Sequence, residues 1–121
     1  MVEEQSHLTV RETGGVKIVE FADRKILDEL CIAEIREELS ALVDDAPGVK
    51  LLLSFEHVEH LSSAALGVLI SLRKQVEQQK GQLKLSNITP QIFEVFKITR
   101  LNKLFDIHNA EVEALASFQA G

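Results

Sequence analysis

The stretch "VKLLLSF" at 49–55 constrains the fold more than any other part of the chain. It is a nearly continuous apolar run of strand length, without the alternation of a strand that has one wet face. Such a strand is covered on both faces, which is the situation of a central strand in a largely parallel sheet flanked by helices. A chain of 121 residues is long enough to build one core around it and too short for two.

The flanking segments supply the partners. "LTVRET" (8–13) and "VKIVEFA" (16–22) are β-type runs separated by Gly14-Gly15, the pattern of a hairpin. Asp28 is positioned to cap a helix in which Ile32, Ile35, Leu39 and Leu42 recur at helical spacing until "DDAPG" breaks it. A second helix fits from Ser62 or Ser63 to Lys80, with Gly81 as its C-cap, and "QLKLSNI" (82–88) alternates like a strand. Thr89-Pro90 opens a third helix with Phe93, Phe96 and Ile98 as its apolar side. Leu104 and Phe105 are assigned to a short last strand. Asn109 is read as capping a final helix with Glu111 and Glu113 in its first turn.

Alternation of strand and helix from the second strand onward implies βαβ crossovers. The expected class is therefore α/β, with a mixed, mostly parallel sheet of four to five strands and about four helices. The expected organisation is a single domain over 1–121 with its core at about 8–118.

Composition narrows the function classes. A net charge of −6 lacks the Lys/Arg excess of a nucleic-acid interface or of a surface drawn to anionic lipid. No run approaches the roughly 20 apolar residues of a membrane span, and "MVEEQSHLTV" has neither the basic start nor the apolar stretch of a secretory leader. The single cysteine, Cys31, excludes an internal disulfide and reads as a packed thiol in an apolar-periodic stretch. A reducing, cytoplasmic setting is expected.

The residues that carry chemistry gather in "FEHVEHLSSAALG" (55–67). As a metal site the segment is incomplete: "EHVEH" is neither H-E-x-x-H nor H-x-x-E-H, and His7 and His108 stand near the two ends with no motif around them. No metal and no cofactor are expected. As a hydrolase elbow it lacks the upstream glycine of G-x-S-x-G, and the chain has no phosphate-binding glycine motif, so no catalytic residue is assigned. As a helix entrance it is well formed, since a serine before a helix is first an N-cap. Ala64, Ala65 and Gly67 keep the first turn and a half small. Gly67 costs about 1 kcal/mol relative to Ala inside a helix, so its space serves either close packing on the sheet or the approach of a partner's backbone.

"LLLSFEHVEHLSSAALGVLISL" resembles the central motif of STAS domains, the fold of anti-sigma factor antagonists and of related sulfate-transporter tails. The family pattern, an apolar strand followed by approximately "LDLSGVEFIDSSGLGVLL", lies on Leu53 to Gly67 without gaps. Val58, Glu59, Ser63, Leu66, Gly67, Val68 and Leu69 match it in type. The similarity continues through "LD" at 27–28, "QLKLSNITPQIFEVFKITRLNKLFDI" at 82–107 and the acidic C-terminal helix. The chain departs from the pattern where the aspartate before the phosphorylated serine is Ser62, where Ala64 and Ala65 follow, and where Ser54 replaces a strand aspartate.

In the antagonists this serine is phosphorylated by a partner anti-sigma factor that is itself a serine kinase, and a phosphatase reverses the step. The resemblance therefore implies Ser63 as phosphoacceptor, with Ser62 the second candidate. It implies a partner surface made by Glu56, His57, Glu59, His60, Ser62, Ala64, Ala65 and Gly67. The alternative it allows is a STAS subunit docked permanently on a transporter or scaffold.

Overall fold

The computed structural model describes residues 7–120, with side chains through 118. Residues 1–6, where no leader was expected, lie outside that range. Strands β1 (Leu8–Thr13) and β2 (Val16–Phe21) form the hairpin, in antiparallel register from Leu8 opposite Phe21 to Thr13 opposite Val16. Gly14 and Gly15 turn the chain at φ of 58° and 83°, the doubly left-handed geometry that a tight hairpin selects and that glycine adopts without a Cβ penalty. After a two-residue strand β3 (Lys25–Ile26) come helix α1 (Glu29–Asp44) and the apolar strand β4 (Lys50–Ser54). A second two-residue strand, β5 (His60–Leu61), precedes helix α2 (Ser63–Gln78) and strand β6 (Gln82–Ser86). Helix α3 (Pro90–Ile98), a 3₁₀ turn at Leu101–Lys103, strand β7 (Asp106–His108) and helix α4 (Glu111–Ala120) complete the fold.

The main sheet runs β1-β2-β4-β6-β7, with every pair after the hairpin parallel. The class and element count expected from sequence are those observed, and the apolar run is central and doubly covered. Leu51, Leu53 and Phe55 face α1, α2 and α3 in a core that includes Ile32, Leu39, Val68, Leu72, Ile92 and Phe96. Leu52 faces the other way, into a smaller core with Val16, Ile18, Ala114 and Phe118 under α4. Arg11 ties α4 to the hairpin by bonding Glu111 at 2.8 Å and Glu20 at 3.0 Å.

Several boundaries differ from the sequence reading. The last strand is Asp106–His108, not Leu104–Phe105: Phe105 is core, whereas Leu104 is 42% exposed. Helix α3 buries Ile92 and Phe96 and leaves Ile98 exposed, because Ile98 is its last residue and has turned off the packed face. Val43, not Leu42, is the last fully buried position of α1. The first bond of α4 runs from Ala114 N–H to the Ala110 carbonyl, so the cap falls on Ala110 rather than Asn109. Helix α2 ends earlier than expected, at Gln78. Lys80 takes the left-handed position (φ 62°), its N–H donating to Glu77 O, and Gly81 N–H donates to Val76 O, the paired bonds of a Schellman C-cap.

Candidate functional site

The site is built at the C-terminal end of β4, where open α/β sheets characteristically present their binding loops. Ser54 closes the strand at 2% exposure, in register with Glu20 on one side and Ser86 on the other. Phe55 and Val58, both fully buried, anchor the loop to the core, and between and beyond them Glu56, His57 and Glu59 turn outward. The chain is then held from the side. The Arg24 carbonyl accepts from Glu59 N–H at 2.7 Å and from His60 N–H at 3.1 Å, and the Ile26 carbonyl accepts from Ser62 N–H at 3.1 Å. This β3–β5 clasp fixes the entry angle of α2.

The two serines have different jobs. Ser62 is the N-cap: its backbone is extended (φ −87°, ψ 169°), its Oγ accepts from Ala65 N–H at 3.2 Å and its carbonyl from Leu66 N–H at 3.1 Å. Ser63 is the first helical residue and is exposed, and its hydroxyl has no partner among the described residues. The N–H groups of Ser63 and Ala64 have no acceptor within the helix, so the free hydroxyl stands at the positive end of the α2 dipole. An added anion here meets unpartnered donors.

Of the expected contact residues, Glu56, His57, Glu59, His60, Ala64 and Gly67 are exposed and Ser62 is half-buried. Ala65 is different: at 5% exposure it packs into the core with Leu66 and offers a partner almost no surface. A Cβ on Gly67 would meet nothing within 4 Å, so this glycine is not there for close packing on the sheet. Neither His57 nor His60 hydrogen-bonds Ser62 or Ser63 among the described residues, so the serines are not arranged with a neighbouring base.

Sequence reasoning missed the rest of the surface. Leu27 (51% exposed) follows Ile26, whose carbonyl holds Ser62, and Leu30 (66% exposed) is the second residue of α1. Val95 lines a groove with Glu59, His60, Leu61, Gln91 and Ile92. A two-residue strand leaves no periodicity to detect, so the clasp that brings Leu27 beside the serines had no signal in the sequence.

The STAS domain family model matches residues 7–114. The chain belongs to the STAS domain family. It is 31% identical to BtrV of Bordetella bronchiseptica over 86 residues, which cover 71% of this chain and 73% of that protein. Over 73 residues it is 34% identical to the anti-sigma-B factor antagonist of Bacillus subtilis, covering 60% of this chain and 65% of the relative. Its fold is that of a solved anti-sigma-factor antagonist (STAS) domain protein from Planctomyces limnophilus. That match has a TM-score of 0.83 at 21% identity and covers 94% of this chain and 98% of that one.

Proposed function

We propose that this chain is an anti-sigma factor antagonist: it binds an anti-sigma factor that is also a serine kinase, and phosphorylation of Ser63 by that partner ends the binding. The observation that carries the reading is the division of labour at the entrance of α2. Ser62 does the structural capping, which leaves Ser63 exposed at a helix N-terminus, with no hydrogen-bond partner for its hydroxyl among the described residues. The family membership and the antagonist relative support the same role. Exposed Leu27 and Val95 give a partner apolar surface to cover.

A phosphate on Ser63 adds about −1.5 to −2 charge where free N–H groups and the helix dipole accommodate it. The fold tolerates it, and the burden falls on the interface. A partner that desolvates this spot meets a dianion close in sequence to exposed Glu56 and Glu59, and repulsion favours release.

The test is reconstitution of the purified chain with the anti-sigma factor encoded beside it or elsewhere in its genome, and ATP. One phosphate per chain is expected on wild type and on Ser62→Ala, none on Ser63→Ala, with Ser63→Asp binding at least tenfold more weakly than Ser63→Ala. Equal binding by Ser63→Asp and Ser63→Ala would favour a constitutively docked STAS subunit instead.

A further inference from the structure

A second cluster lies away from the serines, where the start of β1, the β2–β3 connection and the first turns of α1 meet. Among the described residues, His7, Asp23 and Cys31 offer one metal-ligating atom each, all within 4.8 Å of one another. The backbone sets them there. Ala22 N–H donates to the His7 carbonyl at 2.9 Å, which carries the β1–β2 pairing one step further and puts His7 beside Asp23. Asp28 caps α1 by accepting from Cys31 N–H at 3.1 Å, which fixes the thiol in the first turn. Glu34, one turn on from Cys31, shares its face of the helix.

The donor spacing is that of a borderline divalent ion. Zinc–sulfur bonds of about 2.3 Å and zinc–nitrogen and zinc–oxygen bonds of about 2.0–2.2 Å, at tetrahedral angles, place such donors about 3.4–3.6 Å apart. Cys31 Sγ lies 3.7 Å from His7 Nδ1 and 3.6 Å from Asp23 Oδ2, so two edges of the triangle already fit. The third, Nδ1 to Oδ2, is a 2.6 Å hydrogen bond that opens by about 0.8 Å when an ion replaces the shared proton. The other ring nitrogen, Nε2, is held by Glu34 at 2.6 Å. A carboxylate on the far nitrogen of a ligating histidine fixes the ring and its tautomer.

We infer that His7 Nδ1, Asp23 Oδ2 and Cys31 Sγ form a binding site for a zinc-class divalent cation, with Glu34 as the positioning residue behind His7 and the fourth coordination place left to water. Thiolate with imidazole selects Zn²⁺ or Co²⁺ over Mg²⁺ and Ca²⁺. The charge balances. Without an ion, His7 stands between the Asp23 and Glu34 carboxylates at 2.6 Å each, and Cys31 Sγ donates to Asp23 Oδ2. The cation enters as two protons leave, one from Nδ1 and one from Sγ. Both protons pass to solvent as the cation takes their places on Nδ1 and Sγ. The proposal is independent of the Ser63 reading and extends over different residues.

The experiment uses the full chain, without a histidine tag, reduced and stripped with a chelator, with Co²⁺ as the spectroscopic probe and Zn²⁺ titrated against a chromophoric chelator. Expected are one ion per chain, a near-ultraviolet thiolate-to-cobalt charge-transfer band, and displacement of Co²⁺ by Zn²⁺. Cys31→Ser, a near-isosteric change, loses the band. Glu34→Gln keeps the band but weakens binding about 10–100-fold. A His57→Ala/His60→Ala double variant leaves band and affinity as they are. No charge-transfer band at saturating Co²⁺, a band that survives in Cys31→Ser, or binding lost with His57 and His60 would each overturn the assignment.

Discussion

At the scale of single residues, two adjacent serines stand in different surroundings, one capping a helix and one exposed, and the difference can be measured. Ser62→Ala removes the hydroxyl that satisfies Ala65 N–H and is expected to cost about 1 kcal/mol in urea unfolding. Ser63→Ala removes an exposed hydroxyl that bonds nothing among the described residues, and the unfolding free energy stays within about 0.5 kcal/mol of wild type. The reverse order would place the cap on Ser63. Another prediction concerns Asp106, whose pKa is held below its ordinary value first by the hydrogen bond from Lys84 and then by His108. A carboxylate with a lowered folded pKa adds stability above its unfolded pKa and loses it as pH falls through the folded one. The stability gap between wild type and Asp106→Asn is therefore present near neutral pH and closes on acidification below the carboxylate range. A gap that widened with acid would contradict the ion pair. The serine pair was legible in the sequence as a helix entrance, but which of the two caps was not, because either places a hydroxyl before the same apolar run.

At the scale of elements, length decided what could be read. The 16-residue helices and the five-residue apolar strand carry enough pattern to fix their type, and each lies within two residues of where the sequence placed it. The two-residue strands β3 and β5 and the three-residue β7 carry none. Their pairing comes from backbone groups, above all the Arg24 and Ile26 carbonyls, and not from side-chain pattern. Composition misled at the end of α2, where a Lys-Gly pair suggested glycine in the left-handed place. Lys80 takes it instead, because Gly81 is needed for closeness: a Cβ there would stand 2.4 Å from the Val49 carbonyl oxygen. Gly81→Ala is accordingly expected to destabilise by about 1–3 kcal/mol. Lys80→Gly relieves a left-handed side-chain penalty of about 1–2 kcal/mol, against which the greater freedom of glycine in the unfolded chain counts, leaving a change smaller than 1 kcal/mol. Thermal unfolding of the two variants orders them, and a Gly81→Ala protein as stable as wild type would remove the close-approach argument.

At the scale of the whole molecule, the sheet explains why a modification can act outward without disturbing the fold. Helices α1, α2 and α3 cover one face, α4 covers the other, and the strand ends deliver a loop held by two buried residues, Phe55 and Val58. The start of α2 rests on that scaffold through Ala65 and Leu66 while Ser63, Ala64 and Gly67 stay on the surface. No helix among the described residues is long and apolar enough to cross a membrane. The chain's net charge is −6, so the phosphate proposed for Ser63 would add to an existing excess of negative charge. The fold class and the serine-bearing loop were readable because they depend on long patterns. The His7–Asp23–Cys31 cluster was not, because its members come from three segments that only the hairpin and the α1 cap bring together.

The most direct test is phosphopeptide mass spectrometry of the protein isolated from its native cells, in growth and under stress. Phosphate on Ser63, in a fraction that changes with condition, is the predicted result. Sustained absence of phosphate from Ser63 in every condition would contradict the switch and leave a STAS module whose exposed serine only marks the start of a helix.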